Sequence, residues 1–145
     1  MSAGMDDRTA RDDITAVLIR YATGIDRRDW QLFRTCFTDD CDADYGDIGA
    51  WHGVDEITKW MTDTHEPLGH TLHRITNVTV DLIDGDRARA RCYVDALVLS
   101  RDGRGGAHAV GWYDDELVRS AAGWRITRRR FTTVRVEAVG PGMAT

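Results

Sequence analysis

Ala88-Arg89-Ala90-Arg91-Cys92-Tyr93-Val94-Asp95-Ala96-Leu97-Val98 sets small or apolar residues at every second position, with charged or aromatic Arg89, Arg91, Tyr93 and Asp95 between them. Side chains of an extended chain point alternately to two faces, so this pattern belongs to a strand with one face buried. Asp84-Gly85-Asp86 in front of it reads as a hairpin turn, and Ile75 to Ile83 as the strand that turn joins. Behind it, Asp102-Gly103-Arg104-Gly105-Gly106 is a second turn. His108 to Arg119 and Trp124 to Val136 come next as further strands, joined at Ala121-Ala122-Gly123. From His70 onward the period is two.

Ahead of His70 the period is helical. Ile14, Val17, Leu18, Tyr21, Ala22 and Ile25 recur at three- and four-residue steps, which gives one apolar stripe. That helix ends near Gly24 to Asp26, and Asp6 or Thr9 is placed to cap its start. A second helix is expected over Trp30 to Phe37, burying Leu32, Phe33, Cys36 and Phe37. Cys41 to Tyr45 reads as a short strand before a Gly46 to Gly53 loop. A third helix carries Val54, Ile57, Trp60, Met61 and Thr64 on one face, and Pro67 and Gly69 close it. Three helices and then an antiparallel meander make an α+β plan, in which only the helices can cover the apolar face of a curved antiparallel sheet. Such an arrangement leaves a conical pocket where packing thins.

The chain has 145 residues, one domain's worth, with 42% hydrophobic and 30% charged residues as in ordinary globular proteins. An ordered core is expected over 9–136, with a flexible tail over 137–145. The net charge of −5, with arginines scattered among acids, argues against a nucleic-acid footprint. No apolar run approaches the ~20 residues that span a bilayer. Met1 to Asp13 is polar and acidic, unlike a signal peptide. Cys36, Cys41 and Cys92 are odd in number and lack close spacing, which fits reduced thiols in a cytoplasmic protein. The glycine cluster after Asp102 precedes no helix, so it is not a phosphate loop. His65, Glu66, His70 and His73 match no familiar metal set. His52 and His65 read as solvated, His108 as a rim histidine, and Asp42 and Asp44 as an exposed edge.

Asp26 stands at the edge of the first helix's buried stripe, and an unpaired carboxylate there is costly. His70 and His73 open the first long strand. Being three apart they face opposite ways, so at most one of them looks inward. An inward histidine held by Asp26 would be an acid–base dyad: the carboxylate fixes a proton on one ring nitrogen and frees the other to take one. On the residues alone, Asp26 as a cap for Arg27 to Trp30 and His73 as a sheet histidine is the simpler account.

The order of several short pieces shifts that balance. Tyr21-x4-Asp26, Phe37-Thr38-Asp39-Asp40, Gly53 before a helix, His73-x3-Asn77, Gly85-Asp86-x-Ala88, Gly111-x-Tyr113-x-Asp115 and Gly123-Trp124-Arg125-Ile126 run from about Asp12 to Val136. Together they resemble the SnoaL-like group of the nuclear transport factor 2-like superfamily, and its branch of scytalone dehydratase, bile acid 7α-dehydratase and lindane dehydrochlorinase. The resemblance implies a cone-shaped α+β barrel and a cofactor-independent enzyme of the lyase or isomerase type. Its substrate would be a small, largely apolar cyclic molecule, and no metal is implied. It implies that Asp26 orients His73, that His73 is the base and that Tyr21 lines the pocket. Arg129, with Arg128 and Arg130 as neighbours in doubt, would steady a departing anion. Tyr45, Asn77, Val94, Ala96, Tyr113 and Phe131 would contact substrate. A polyketide cyclase, an epoxide hydrolase and a non-catalytic binding module share the scaffold. A homodimer through the outer sheet face is also implied. One departure from the bile acid enzyme is Ala96, where that enzyme has an acid; Asp95 beside it should face away.

Overall fold

The expected helical stripe forms the seam between helix and sheet. In the computed structural model, which describes residues 3–141 and side chains from Asp6 on, helix α1 (Ala3–Asp26) lies against strand β3 (Thr71–Leu82) and strand β6 (Gly123–Val139). Ile14, Leu18 and Ile25 are fully buried beneath it, and burying a side chain of that size contributes about 1.5–3 kcal/mol. Helix α2 (Trp30–Arg34) is shorter than expected, because Phe37 already opens strand β1 (Phe37–Asp44). Strand β2 (Ala50–His52), in the stretch expected to be loop, pairs with β1. Helix α3 (Val54–His65), strand β4 (Arg87–Leu99) and strand β5 (Gly106–Ser120) complete the order.

The six strands form one unclosed sheet in the order β2-β1-β6-β5-β4-β3. The expected all-antiparallel sheet is corrected at one place: β1 runs parallel to β6. β6 runs to Val139, past the expected limit of Val136, and 142–145 lie outside the described residues. Likewise α1 starts at Ala3, upstream of both residues expected to cap it. Among the described residues no helix is long and apolar enough to cross a membrane.

Two departures from strict alternation decide which side chains turn inward. In β3 the register shifts between Thr76 and Thr79, and Asn77 has φ 51°. In β6 it shifts where Leu117 pairs with Ile126 but Glu116 pairs with Arg128. Each β-bulge places one extra residue and reverses the parity of the rest of its strand. Trp124 and Ile126 therefore face inward, and so does Arg129, not Arg128.

The end of α1 is equally specific. The Arg28 amide donates to Ile25 O at 3.0 Å and the Asp29 amide to Gly24 O at 2.8 Å, a two-bond Schellman closure. Arg28 takes the left-handed position of that closure, φ 56°, which costs a residue with a side chain about 1–2 kcal/mol. Asp29 then caps α2, accepting from the Leu32 amide at 3.1 Å.

Candidate active site

The last turn of α1 and the start of β3 meet at Asp26 and His73. Oδ1 of Asp26 receives His73 Nδ1 at 2.8 Å and the Thr71 hydroxyl at 2.9 Å, while Oδ2 receives the His73 amide at 2.8 Å. Burial alone would raise the pKa of Asp26. The bonds and charge from His73, joined by Thr71, outweigh it and hold the carboxyl below its ordinary value. An ionised carboxylate only accepts, so His73 carries a proton on Nδ1, and in the neutral ring the lone pair is therefore on Nε2. Among the described residues Nε2 has no hydrogen-bond partner, and it is not one of the sealed unpartnered atoms, which there are Arg125 Nε and Arg129 Nη1. The His73 side chain is 10% exposed and that of Asp26 18%. His70, three residues earlier, is exposed.

His65 corrects an expectation. It is 8% exposed, not solvated, and its Nδ1 donates to Met61 O at 2.9 Å. Burial pushes its pKa down to about 4, so the ring is neutral. Its centroid is 5.9 Å from that of His73. The inward face of α3 is Val54, Ile57, Thr58, Met61 and His65; Thr64, one residue short of that face, is exposed.

Deeper in the fold, β5 and β6 bring Asp115 opposite Arg129. Their side chains are fully buried and joined by two bonds, Nε to Oδ1 at 2.7 Å and Nη2 to Oδ2 at 2.8 Å. The Arg129 guanidinium lies 4.2 Å from the Tyr21 ring centroid and 3.8 Å from that of Tyr113. Burial opposes its charge, but Asp115 outweighs burial and keeps its pKa above the ordinary value. The Tyr21 and Tyr45 hydroxyls are 2.7 Å apart, and Tyr113 reaches Tyr21 at 3.5 Å. Burial raises all three phenols, so they stay protonated.

Of the residues expected to contact substrate, Val94, Ala96, Tyr45 and Tyr113 are buried, and Phe131 is half-buried with its ring 5.5 Å from that of Tyr45. Ala96 lies directly across from His73 on β4. Asn77 is the exception: the β3 bulge leaves it exposed. Asp95 faces outward as expected, bonded to His108 at 2.6 Å and Arg74 at 3.0 Å. Five surface depressions have volumes of about 350–760 Å³, and neither Asp26 nor His73 lines any of them. Tyr45 and Phe131 do line one, of about 350 Å³, beside the Gly46–Ile48 turn.

Three residues of these clusters were given no role from the sequence: Thr71, Asp115, which stood there only within the Gly111-x-Tyr113-x-Asp115 piece, and Arg28, whose Nη1 donates to the Thr71 hydroxyl at 2.9 Å. Thr71 and Asp115 sit two residues from His73 and Tyr113 on the same faces, a signal that alternation carries. Arg28 carries no such signal.

Comparison with known proteins accords with this architecture. The family model of the SnoaL-like domain matches residues 6–130. An uncharacterized protein of Mycobacterium tuberculosis is 32% identical over 122 residues, 82% of each chain. Among solved structures, a scytalone-dehydratase-like protein of Novosphingobium aromaticivorans superposes with TM-score 0.85 at 21% identity, covering 98% of this chain and 99% of its own. A hexachlorocyclohexane dehydrochlorinase of Novosphingobium barchaimii does so with TM-score 0.84 at 16% identity, covering 99% of each. At these identities the two structures establish the shared fold.

Proposed function

The chain belongs to the SnoaL-like domain family, and from that premise we propose that it is a cofactor-independent lyase or isomerase acting on a small, largely apolar cyclic substrate. One observation carries the reading: a histidine whose Nδ1 is held by an ionised carboxylate at 2.8 Å and whose Nε2 is unpartnered and unsealed. Nε2 takes a proton from a carbon of the substrate, and the electron pair of that C–H bond forms a double bond. In an elimination the neighbouring group departs with its own bonding pair. In an isomerisation a double bond already present in the substrate shifts, and its electron pair takes the proton back from the imidazolium at a different carbon. Asp26 balances the imidazolium while it exists. The scytalone-dehydratase-like and dehydrochlorinase relatives support a proton abstraction of this type.

Tyr21 and Tyr45, kept protonated, act as hydrogen-bond donors and not as bases. Arg129, sealed behind the tyrosine rings, supplies positive charge from below and braces them. A departing oxygen leaves with the proton held on His73, since Ala96 offers no second acid across the sheet.

The test is a panel of cyclic carbon acids bearing a leaving group on the adjacent carbon, followed in deuterated water for elimination and for deuterium uptake. General-base catalysis contributes about 10²–10⁴-fold, so His73→Ala should lose at least that much turnover. A fully active His73→Ala protein sinks the proposal. We also propose a homodimer through the outer sheet face, where Leu72 and Tyr93 are 53% and 49% exposed. Light scattering on a size-exclusion column reads this directly, and a monomer at micromolar concentration excludes it.

A further inference from the structure

Arg28 occupies a left-handed position at the end of α1 where glycine is the favoured residue, so its side chain must offset a backbone disadvantage. Its guanidinium makes three bonds: Nη1 to Ile25 O at 3.0 Å, Nη1 to the Thr71 hydroxyl at 2.9 Å, and Nη2 to Gly69 O at 2.6 Å. The bonds to Ile25 and Gly69 tie the helix end to the lead-in of β3. The bond to Thr71 has a chemical consequence.

A guanidinium has donors and no acceptor. The Thr71 oxygen must therefore accept from Arg28, and its single proton is left to point elsewhere. Asp26 Oδ1, at 2.9 Å, receives it. That oxygen is the one that also receives His73 Nδ1. Thr71 is 3% exposed, so water does not compete freely for either bond.

We propose that Arg28 and Thr71 are positioning residues, a one-way hydrogen-bond chain that fixes the Asp26 carboxylate and so determines which nitrogen of His73 stays free. This rests on the reading of Asp26 and His73 as a proton-transfer dyad. Neither residue touches substrate. Without the hydrogen-bond chain the carboxylate is held by His73 alone, through its amide and ring, so rotation about the Cβ–Cγ bond is less restricted and the imidazole gains access to the tautomer with its proton on Nε2. That tautomer presents an N–H where the reaction needs a lone pair.

The arrangement can be tested without a substrate. In ¹⁵N-labelled protein at neutral pH, the nitrogen shifts of His73 report the tautomer, and the Nδ1–H proton reports exchange with water. Thr71→Val should speed that exchange roughly five- to tenfold, the worth of one hydrogen bond, and populate the other tautomer. Thr71→Ser should restore the native pattern. Arg28→Gly keeps the left-handed turn, so it should stay folded and still shift the tautomer as Thr71→Val does. Should Thr71→Val not fold, Arg28→Gly alone decides. A folded Arg28→Gly or Thr71→Val protein with native nitrogen shifts and native exchange overturns the proposal. A shifted tautomer in these variants, together with a fully active His73→Ala protein, would instead leave the hydrogen-bond chain standing and remove the dyad's catalytic role.

Discussion

Two pairs of a carboxylate with a nitrogen-bearing side chain face the interior of this fold, and they have opposite characters. Asp115 and Arg129 are fully buried, doubly bonded to each other and enclosed by tyrosine rings. Asp26 and His73 are only partly covered, and one imidazole nitrogen is unused. A pair sealed from solvent on every side can hold a structure together, but even the unpartnered Nη1 of Arg129 has no open face to offer a substrate. A pair at partial exposure with a free lone pair is equipped for proton transfer. Depth separates the two, and so does residue type, since a guanidinium has no lone pair with which to take a proton and a neutral imidazole has one.

The contrast predicts mirror-image mutational profiles. Replacing Asp115 by Ala leaves the Arg129 charge buried and unpaired, and should destabilise the protein by about 3–5 kcal/mol in urea unfolding. Replacing both partners together, by Leu and Met, should recover much of that loss. If Asp115→Ala unfolds at the native urea concentration, the sealed pair is not the structural one.

His73→Ala should show the opposite pattern, with turnover down by ~10²-fold or more and the urea midpoint close to native. Comparable losses of stability in both variants would erase the distinction between the pairs.

His65 sharpens the contrast through pH. Its pKa falls from 6.5 unfolded to about 4 folded, so the unfolded chain binds a proton that the folded protein excludes. The stability from the neutral buried ring is complete above 6.5 and is lost as pH falls toward about 4. The full loss is of order 3 kcal/mol. Urea midpoints measured across that window should flatten in His65→Gln; an unchanged slope assigns the acid sensitivity elsewhere.

The smallest effect belongs to the outer face. Asp95 bonds His108 and Arg74 in the open, and Asp95→Ala should change stability by less than about 1 kcal/mol. A larger loss, read by the same urea titration, would show that this face is covered in solution.

Much of the architecture was legible because it rests on local periodicity. The alternation over Ala88 to Val98 is the alternation of β4, buried at Ala88, Ala90, Cys92, Val94 and Ala96. The stripe from Ile14 to Ile25 is the buried face of α1. Strand β2 escaped because three residues are too few to show a period, and its pairing with β1 is a long-range event. His65 was misplaced because the face of α3 was read through Thr64, one residue away from the row that packs inward.

The sequence by itself determined the α+β class, the inner and outer faces of the regular strands, and the nomination of Asp26 and His73. Their pairing, and the choice of Arg129 over Arg128, belong to the tertiary structure. Strict alternation from Trp124 and Ile126 turns Arg128 inward and carries Asn77 inward after Ile75; bulges in β6 and β3 reverse both assignments. A bulge depends on how a curved sheet accommodates the helices against it, and that accommodation involves residues far apart in the chain. The same holds for Arg28, whose place in the sequence is an ordinary helix end. Only the approach of β3 brings Thr71 within reach and connects that helix end to the carboxylate beside it.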